Sequence, residues 1–434
     1  MLKQTISRDD HIYECFPDIA MTPDGVLVCM YRECMMHAPF PFSRLVVRRS
    51  LDGGRNWQDK TLLTECVAAA ERVDQTRSWL PADALAGYEQ SLARIDEDWR
   101  IGASINCPRL ICLTDGTLLL IVDFTLPANG PIRRTANKAL RSTDSGQTWS
   151  ELQDLELAHS GYQPAITELR DGRILLGLDI PDKGGAVCFS DDGGRHWGPA
   201  VSVPNSDAAF CDELSFVELD DGTLVGFGRN RVAEQARRPS AGVKVISRDG
   251  GATWSGPHET WLMGLTGRPK AGLLKSGEVC ITYRCDMPNE NLAMHVMTQD
   301  AARFEDLGDL IPRQPGPEDV PALLAQEKGE ERPWYMTSYY PGRSFILDCD
   351  RSVHRDGGYS GWVQLPDGDI LVVDYIHDDA PLAQIRSYLV SRSDYILFPP
   401  GDMPWLHPSW QPFRAMTYAM AERQFNRNRE VSKS

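Results

Sequence analysis

Six short turns, each set between apolar runs, constrain this chain more than anything else in it. They are Asp24-Gly25, Asp115-Gly116, Asp171-Gly172, Asp221-Gly222, Ser276-Gly277 and Asp367-Gly368. The runs that follow them read VLVCMY, TLLLIV, RILLGL, TLVGFG, EVCITY and DILVVDY. An Asp-Gly pair between two strand-like runs is the strongest short-range hairpin signal, because glycine takes the positive φ that a tight turn requires. A second repeat is interleaved with the first. Ser-x-Asp-x-Gly-x-x-Trp occurs at Ser50–Trp57, Ser142–Trp149, Ser190–Trp197 and Ser247–Trp254, each time just after a short strand. The aspartate accepts hydrogen bonds from the turn backbone, and the tryptophan fills the space beside the next unit.

Two repeats in phase predict a repeat architecture: strand, turn, strand, strand, box, strand. Six hairpins with four strands each give an all-β, six-bladed β-propeller, in which radial repetition leaves only short protected edges. Blades five and six keep the third strand but lack the box. Residues around 4–13 are expected to supply the outermost strand of the last blade and close the ring. We expect one propeller over residues 1–400 and a C-terminal tail, 401–434, packed on it. The first two turns and the last two are each 91 residues apart, against 50–56 for the others. Insertions are therefore expected at about 64–99, of helical composition, and at about 304–354, rich in proline and charge. Such insertions would shape access to a site or make contacts in a homo-oligomer.

The 45 lysines and arginines are outnumbered by 61 acids, for a net charge of −16. That balance disfavours nucleic acid and anionic membranes as partners. No apolar run approaches the roughly 20 residues a membrane helix needs. The first residues lack the apolar core of a secretory signal. The eleven cysteines are an odd number and fall mostly in predicted strands, as small hydrophobes do. A reduced, cytoplasmic protein is expected. His37, His354 and His377 lack zinc-ligand spacing, so no metal and no cofactor is expected.

A hairpin folds back on itself, so residues equally far before and after its turn share one edge of the sheet. Eight before the six turns stand Phe16, Cys107, Gln163, Glu213, Arg268 and Tyr359. Eight after stand Arg32, Asp123, Asp179, Arg229, Arg284 and Tyr375. In a propeller these converge on the hub. Tyrosine is a poor nucleophile at its usual pKa of about 10, and a carboxylate that takes its proton activates it. Tyr359 and Glu213 fit that chemistry. Arg229, Arg268 and Arg284 would stabilise the phenolate or clamp an anion. Arg32, Arg109, Asp123, Asp179, Gln163 and Asn106 are candidates for binding a carbohydrate substrate. The bland reading has Tyr359 as a hydrogen-bonded core residue and Glu213 as half of a structural ion pair.

Four Asp boxes on a six-bladed pattern resemble the sialidase superfamily, the exo-α-sialidase-like or BNR-repeat glycoside hydrolases, over about residues 10–398. The segment Glu213–Gly222 running on to Arg229-Asn230 resembles the one that carries the family's catalytic glutamate and a binding arginine. Gly358-Tyr359-Ser360 resembles the segment of the nucleophilic tyrosine. The resemblance implies that Tyr359 attacks the anomeric carbon, Glu213 takes its proton and Arg229 contacts the substrate acid group, with Arg268 a weaker match to another binding arginine. The first blade departs from the pattern. Cys15 stands where the family's first carboxylate-gripping arginine would be, and no aspartate lies between Gly25 and Leu51. Glu33 and His37 are the residues there suited to acid–base work. Three readings stay open. One is a sialidase-like hydrolase of a terminal sugar, with acidic sugars among the candidates. Another is a lyase or His37-assisted hydrolase on the same scaffold. The third is a non-catalytic glycan- or protein-binding propeller.

Overall fold

The computed structural model describes residues 1–37, 42–67, 104–126, 134–180, 184–207, 209–232, 241–286, 291–305 and 342–395, with the single residues 82, 85, 89 and 397. The chain divides into two compact units, Met1–Tyr395 and Ile396–Ser434. The first is the propeller. The second, apart from residue 397, lies outside the described residues, and so does the expected packing of the tail.

Six antiparallel sheets follow one another along the chain. Blade one runs from its inner strand, Tyr13–Met21, through Leu27–Cys34 and Phe42–Ser50 to Thr61–Val67. In blade two the inner strand is broken into Ser104–Ile105 and Arg109–Cys112, both paired with Leu118–Leu126. Blades three, four and five begin at Tyr162–Glu168, Cys211–Glu218 and Leu265–Leu273. Blade six takes Gly361–Gln364, Ile370–Ile376 and Gln384–Val390, and is completed by Leu2–Ser7, which pairs antiparallel with Gln384–Val390. The first residues of the chain thus close the ring.

Blades stack face to face, so their middle strands are buried on both sides and read as continuous apolar runs instead of alternating ones. Leu118 to Val122, Ile174 to Leu176 and Val279 to Ile281 are essentially inaccessible. The apolar clusters lie between neighbours. Ile19, Leu27 and Val46 of blade one meet Leu371 and Val373 of blade six, while Val28, Met30 and Val47 meet Leu118 and Leu120 of blade two. Burying each such side chain contributes about 1.5–3 kcal/mol relative to leaving it exposed.

The Ser-x-Asp-x-Gly-x-x-Trp turns repeat one hydrogen-bond scheme. Gly54, Gly146, Gly194 and Gly251 each donate their backbone N–H to the serine Oγ four residues earlier, at 2.8–2.9 Å. The aspartate accepts from the residue before the tryptophan at 2.9 Å in all four. A second latch joins adjacent blades. Glu168, Glu218 and Gln364, three residues before their turns, accept from the backbone N–H of Thr114, Arg170 and Lys275 in the preceding blade.

The two long intervals hold blade strands at their edges. Thr61–Val67 is the outermost strand of blade one, and Gly342–Cys349 that of blade five, after a short helix at Gln299–Arg303. The parts between, 68–103 and 306–341, lie outside the described residues except for the three isolated positions. The eleven cysteines carry free thiols.

Candidate active site

The hub residues owe their placement to a local irregularity that recurs from blade to blade. The inner strands lose register between Cys15 and Asp18, Tyr162 and Ala165, Asp212 and Ser215, and Gly267 and Lys270. Each bulge encloses the residue eight before the turn. In Phe16-Pro17, Cys107-Pro108, Gln163-Pro164 and Arg268-Pro269 a proline follows, and a proline has no N–H to give to a ladder. Phe16, Gln163 and Glu213 have φ of 55°, 53° and 52°, a conformation that side chains with a Cβ avoid. Strain of about 1–3 kcal/mol at each is held by compensating bonds. The Glu213 N–H donates to Asp179 Oδ2 at 2.9 Å, and the Gln163 N–H bonds Asp123 in the same way. The Arg268 N–H continues the ring by donating to Glu213 Oε2 at 2.6 Å.

Tyr359 and Glu213 come from blades two apart and meet. The phenol Oη donates to Glu213 Oε1 at 2.8 Å. Arg229 Nη1 is 3.3 Å from the same oxygen, and Arg284 Nη2 donates to Tyr359 Oη at 3.3 Å. The Arg284 guanidinium also lies 4.6 Å from the centre of the tyrosine ring. Burial would push the Glu213 carboxyl up, but Arg229, Arg284 and the tyrosine hydroxyl outweigh it and hold it below the usual range. Burial and the adjacent Glu213 charge push the Tyr359 phenol well above its ordinary value. At rest the proton is therefore on the phenol, and the carboxylate is placed to take it. Gly358 lets the loop reach this position: its φ is +81°, and a Cβ there would come within 2.5 Å of Arg284. Both oxygens of buried Asp374 accept the Gly358 N–H, at 2.9 and 3.0 Å.

The bulge also corrects the register of the opposite strand. Arg229 lies across from Asp212, not from Glu213. Its Nε and Nη2 donate to the two oxygens of Asp212, each at 2.8 Å. Arg268 and Arg109, expected at the substrate, use their terminal nitrogens as straps that tie hub carbonyls together. Arg268 donates to Cys107, Pro108 and Pro164, and Arg109 to Ser360 and Pro269. Proline leaves those carbonyls in a broken ladder, which is why a guanidinium fork is needed there. Burial beside Arg268 brings the Arg109 guanidinium down to about 10.

Blade one brings a different group to the phenol. The Phe16 ring stacks on Tyr359 with centroids 5.1 Å apart. His37 packs edge-on against Phe16 at 5.1 Å and lies 6.4 Å from the Tyr359 ring. Its Nδ1 is 2.6 Å from Asp356 Oδ2. Asp356 also accepts the hydroxyls of Tyr375, at 2.8 Å, and Tyr13. Burial would raise the Asp356 carboxyl; the bond to His37, its charge and the two tyrosine hydroxyls hold it low. Arg32 donates to the His37 carbonyl and lies 4.3 Å over the Phe16 ring. Glu33, the other candidate acid, is buried and ion-paired with Lys60 at 2.5 Å, in a group with Glu14 and Arg44. It joins none of the bonds around Tyr359. Asn106 holds Thr125 across blade two through a side-chain bond of 3.0 Å.

Sequence register missed Asp212, Asp356 and the stacking of Phe16. An acid directly before Glu213, and another three residues before Tyr359, were the available signals. Access is narrow: Tyr359 is 5% and Glu213 1% exposed, whereas the His37 side chain is 52% exposed. A cavity of about 480 Å³ opens at the other mouth of the channel, near Ile166, Phe216, Lys270 and Trp362, away from this chemistry. Trp362 is fixed there by donating its indole N–H to the Lys270 carbonyl.

These features define a six-bladed β-propeller built on BNR-type repeats. The chain belongs to the BNR repeat-like domain family, whose model matches residues 67–372. No curated protein matches the sequence. Among solved structures, a protein of unknown function from Dyadobacter fermentans is similar at 18% identity with a TM-score of 0.64, covering 90% of this chain and 97% of its own. A Hadza microbial sialidase is similar at 16% identity with a TM-score of 0.55, covering 91% of this chain and 69% of that one. The intramolecular trans-sialidase of Ruminococcus gnavus, solved with oseltamivir carboxylate, is similar at 14% identity with a TM-score of 0.56, covering 89% and 96%. At such identities the likeness speaks for the fold.

Proposed function

We infer that this protein is a retaining glycoside hydrolase in which Tyr359 is the nucleophile, Glu213 its base and His37 the acid and base for the leaving group. The observation that carries the reading is the 2.8 Å bond from the phenol to a carboxylate flanked by two guanidiniums. Two of the proteins of similar structure are a sialidase and an intramolecular trans-sialidase, which supports a glycosidase on this scaffold.

In the first half-reaction Tyr359 Oη bonds to the anomeric carbon as its proton passes to Glu213. The bond from that carbon to the aglycone oxygen breaks, and protonated His37 gives that oxygen its proton. In the second half, water attacks the anomeric carbon and its proton goes to His37. The tyrosyl oxygen leaves and recovers its proton from Glu213. Two displacements at one carbon retain configuration. Arg284, over the ring and bonded to Oη, stabilises the negative charge on the phenol oxygen in both halves. Asp356 fixes the imidazole by holding Nδ1, which turns Nε2 to the leaving group, the role a buried carboxylate plays toward a catalytic histidine.

The test is a panel of aryl glycosides with wild type, Tyr359→Phe and Glu213→Gln. Turnover by wild type, its loss in both variants, and a fluoroglycoside adduct located on Tyr359 by mass spectrometry are expected. Turnover undiminished in Tyr359→Phe would sink the assignment.

A further inference from the structure

We propose that the hub selects an uncharged glycone and rejects one that carries a carboxylate; this rests on the hydrolase reading above and names its substrate class. What decides the class is whether any guanidinium keeps a two-pronged fork open. A carboxylate buried at a hub needs at least one open guanidinium fork, because desolvating an unpaired anion is prohibitive. Arg229 is closed by the two oxygens of Asp212. Arg268 and Arg109 are each 3% exposed and bonded to backbone carbonyls. Arg284 is held by the Thr266 carbonyl, the Tyr359 hydroxyl and Asp356. Arg32 is covered by Phe16 and bonded to the His37 carbonyl. Where blade one meets the reacting phenol it offers Cys15 and the Phe16 ring, which carry no charge, and His37, whose Nδ1 is taken by Asp356 and whose other ring nitrogen serves the leaving group.

The acids point the same way. Asp212, Asp179 and Glu213 sit together around Arg229, and burial followed by the Asp212 charge drives the Asp179 carboxyl well up. Burial pushes Asp123 up to about 7. Around Asp179 and Asp123 the hub already disfavours a charged carboxyl and gives no place to another.

What the hub does hold open suits hydroxyl groups. Five of its buried polar atoms have no partner within the protein: the acceptors Asp123 Oδ1 and Gln163 Oε1, and the Nε–H donors of Arg32, Arg268 and Arg284. Orphaned buried polar atoms carry a desolvation penalty, so such a cluster marks a ligand's footprint. A sugar hydroxyl donates and accepts, and satisfies both kinds. A carboxylate has no hydrogen to give to Asp123 or Gln163.

The experiment compares kcat/KM for 4-nitrophenyl galactoside, glucoside, fucoside, rhamnoside and xyloside with that for 4-methylumbelliferyl N-acetylneuraminate and 4-nitrophenyl glucuronide. Protection against thermal unfolding is measured alongside, with neutral aldonolactones and with 2,3-didehydro-N-acetylneuraminic acid. At least one neutral glycoside is expected to exceed both acidic ones by about 100-fold or more, since each contact the acid cannot satisfy removes affinity. Equal or better turnover of an acidic glycoside overturns the proposal. If no glycoside is turned over, the hydrolase reading falls by itself and the unfolding shifts decide: protection by a lactone alone supports an uncharged ligand, while protection by the didehydro acid, or by neither, overturns it. Asp212→Asn opens the Arg229 fork and is expected to raise affinity for the didehydro acid at least about tenfold. A folded Asp212→Asn protein with unchanged affinity also counts against the proposal.

Discussion

The rim and the hub of this propeller use repetition in opposite ways. At the rim, four turns repeat one set of bonds almost atom for atom, serine to glycine and aspartate to the residue before tryptophan. At the hub, one register position holds Phe16, Cys107, Gln163, Glu213, Arg268 and Tyr359, six residues of five chemical kinds. The rim makes each blade fold in the same shape, which frees the hub to differ from blade to blade without endangering the scaffold. Where a repeat protein is uniform, its residues maintain structure; where one register is heterogeneous, its residues are candidates for chemistry.

Hub and rim part most visibly at Tyr359, the proposed nucleophile. Tyr359→Phe is expected to lower kcat by about 1,000-fold or more with binding retained, as loss of a covalent nucleophile does. Its melting temperature should stay near that of wild type, since the ring keeps its stack with Phe16. Next comes Asp356→Asn, which leaves His37 without a charged partner; kcat is expected to fall about 100-fold, the scale of a general acid–base contribution. Glu33→Gln, in the neighbouring ion-pair group, should leave kcat unchanged under the same assay. At the rim the readout changes sides. Ser190→Ala removes the acceptor of the Gly194 N–H at 2.8 Å and is expected to cost about 1–3 kcal/mol in denaturant unfolding with turnover intact. The smallest effect is a slope. Asp123 holds its proton in the fold up to about pH 7, whereas an unfolded aspartate releases it near roughly 4. The folded state binds the extra proton between those values, so this group's contribution is full at low pH and is lost as pH rises toward 7. Melting temperature measured across that window should fall less steeply in Asp123→Asn.

What could be read from the sequence was what is local. The six turns and four Asp boxes each fit within eight residues, and their spacing carried the blade count and the convergence of Tyr359 with Glu213. Counting from turns fails by one residue wherever a strand bulges, and this is why Asp212 escaped notice as the partner of Arg229. The roles of Arg109 and Arg268 were also out of reach, because their partners are backbone carbonyls of other blades and leave no mark in residue type. Asp356 belongs to a loop outside the register. Only its folding by Asp350, which accepts the N–H groups of Ser352, Asp356, His377 and Asp378, puts it beside His37.

The strand Leu2–Ser7 pairs with Gln384–Val390, which follows the other five sheets in sequence. During synthesis that strand must wait, unpaired, until Gln384–Val390 has left the ribosome. The sheet beside Tyr359 is then the last of the six to be completed, after the blade that brings Glu213. Replacing the residues of Leu2–Ser7 would loosen this seam before any other part of the wheel.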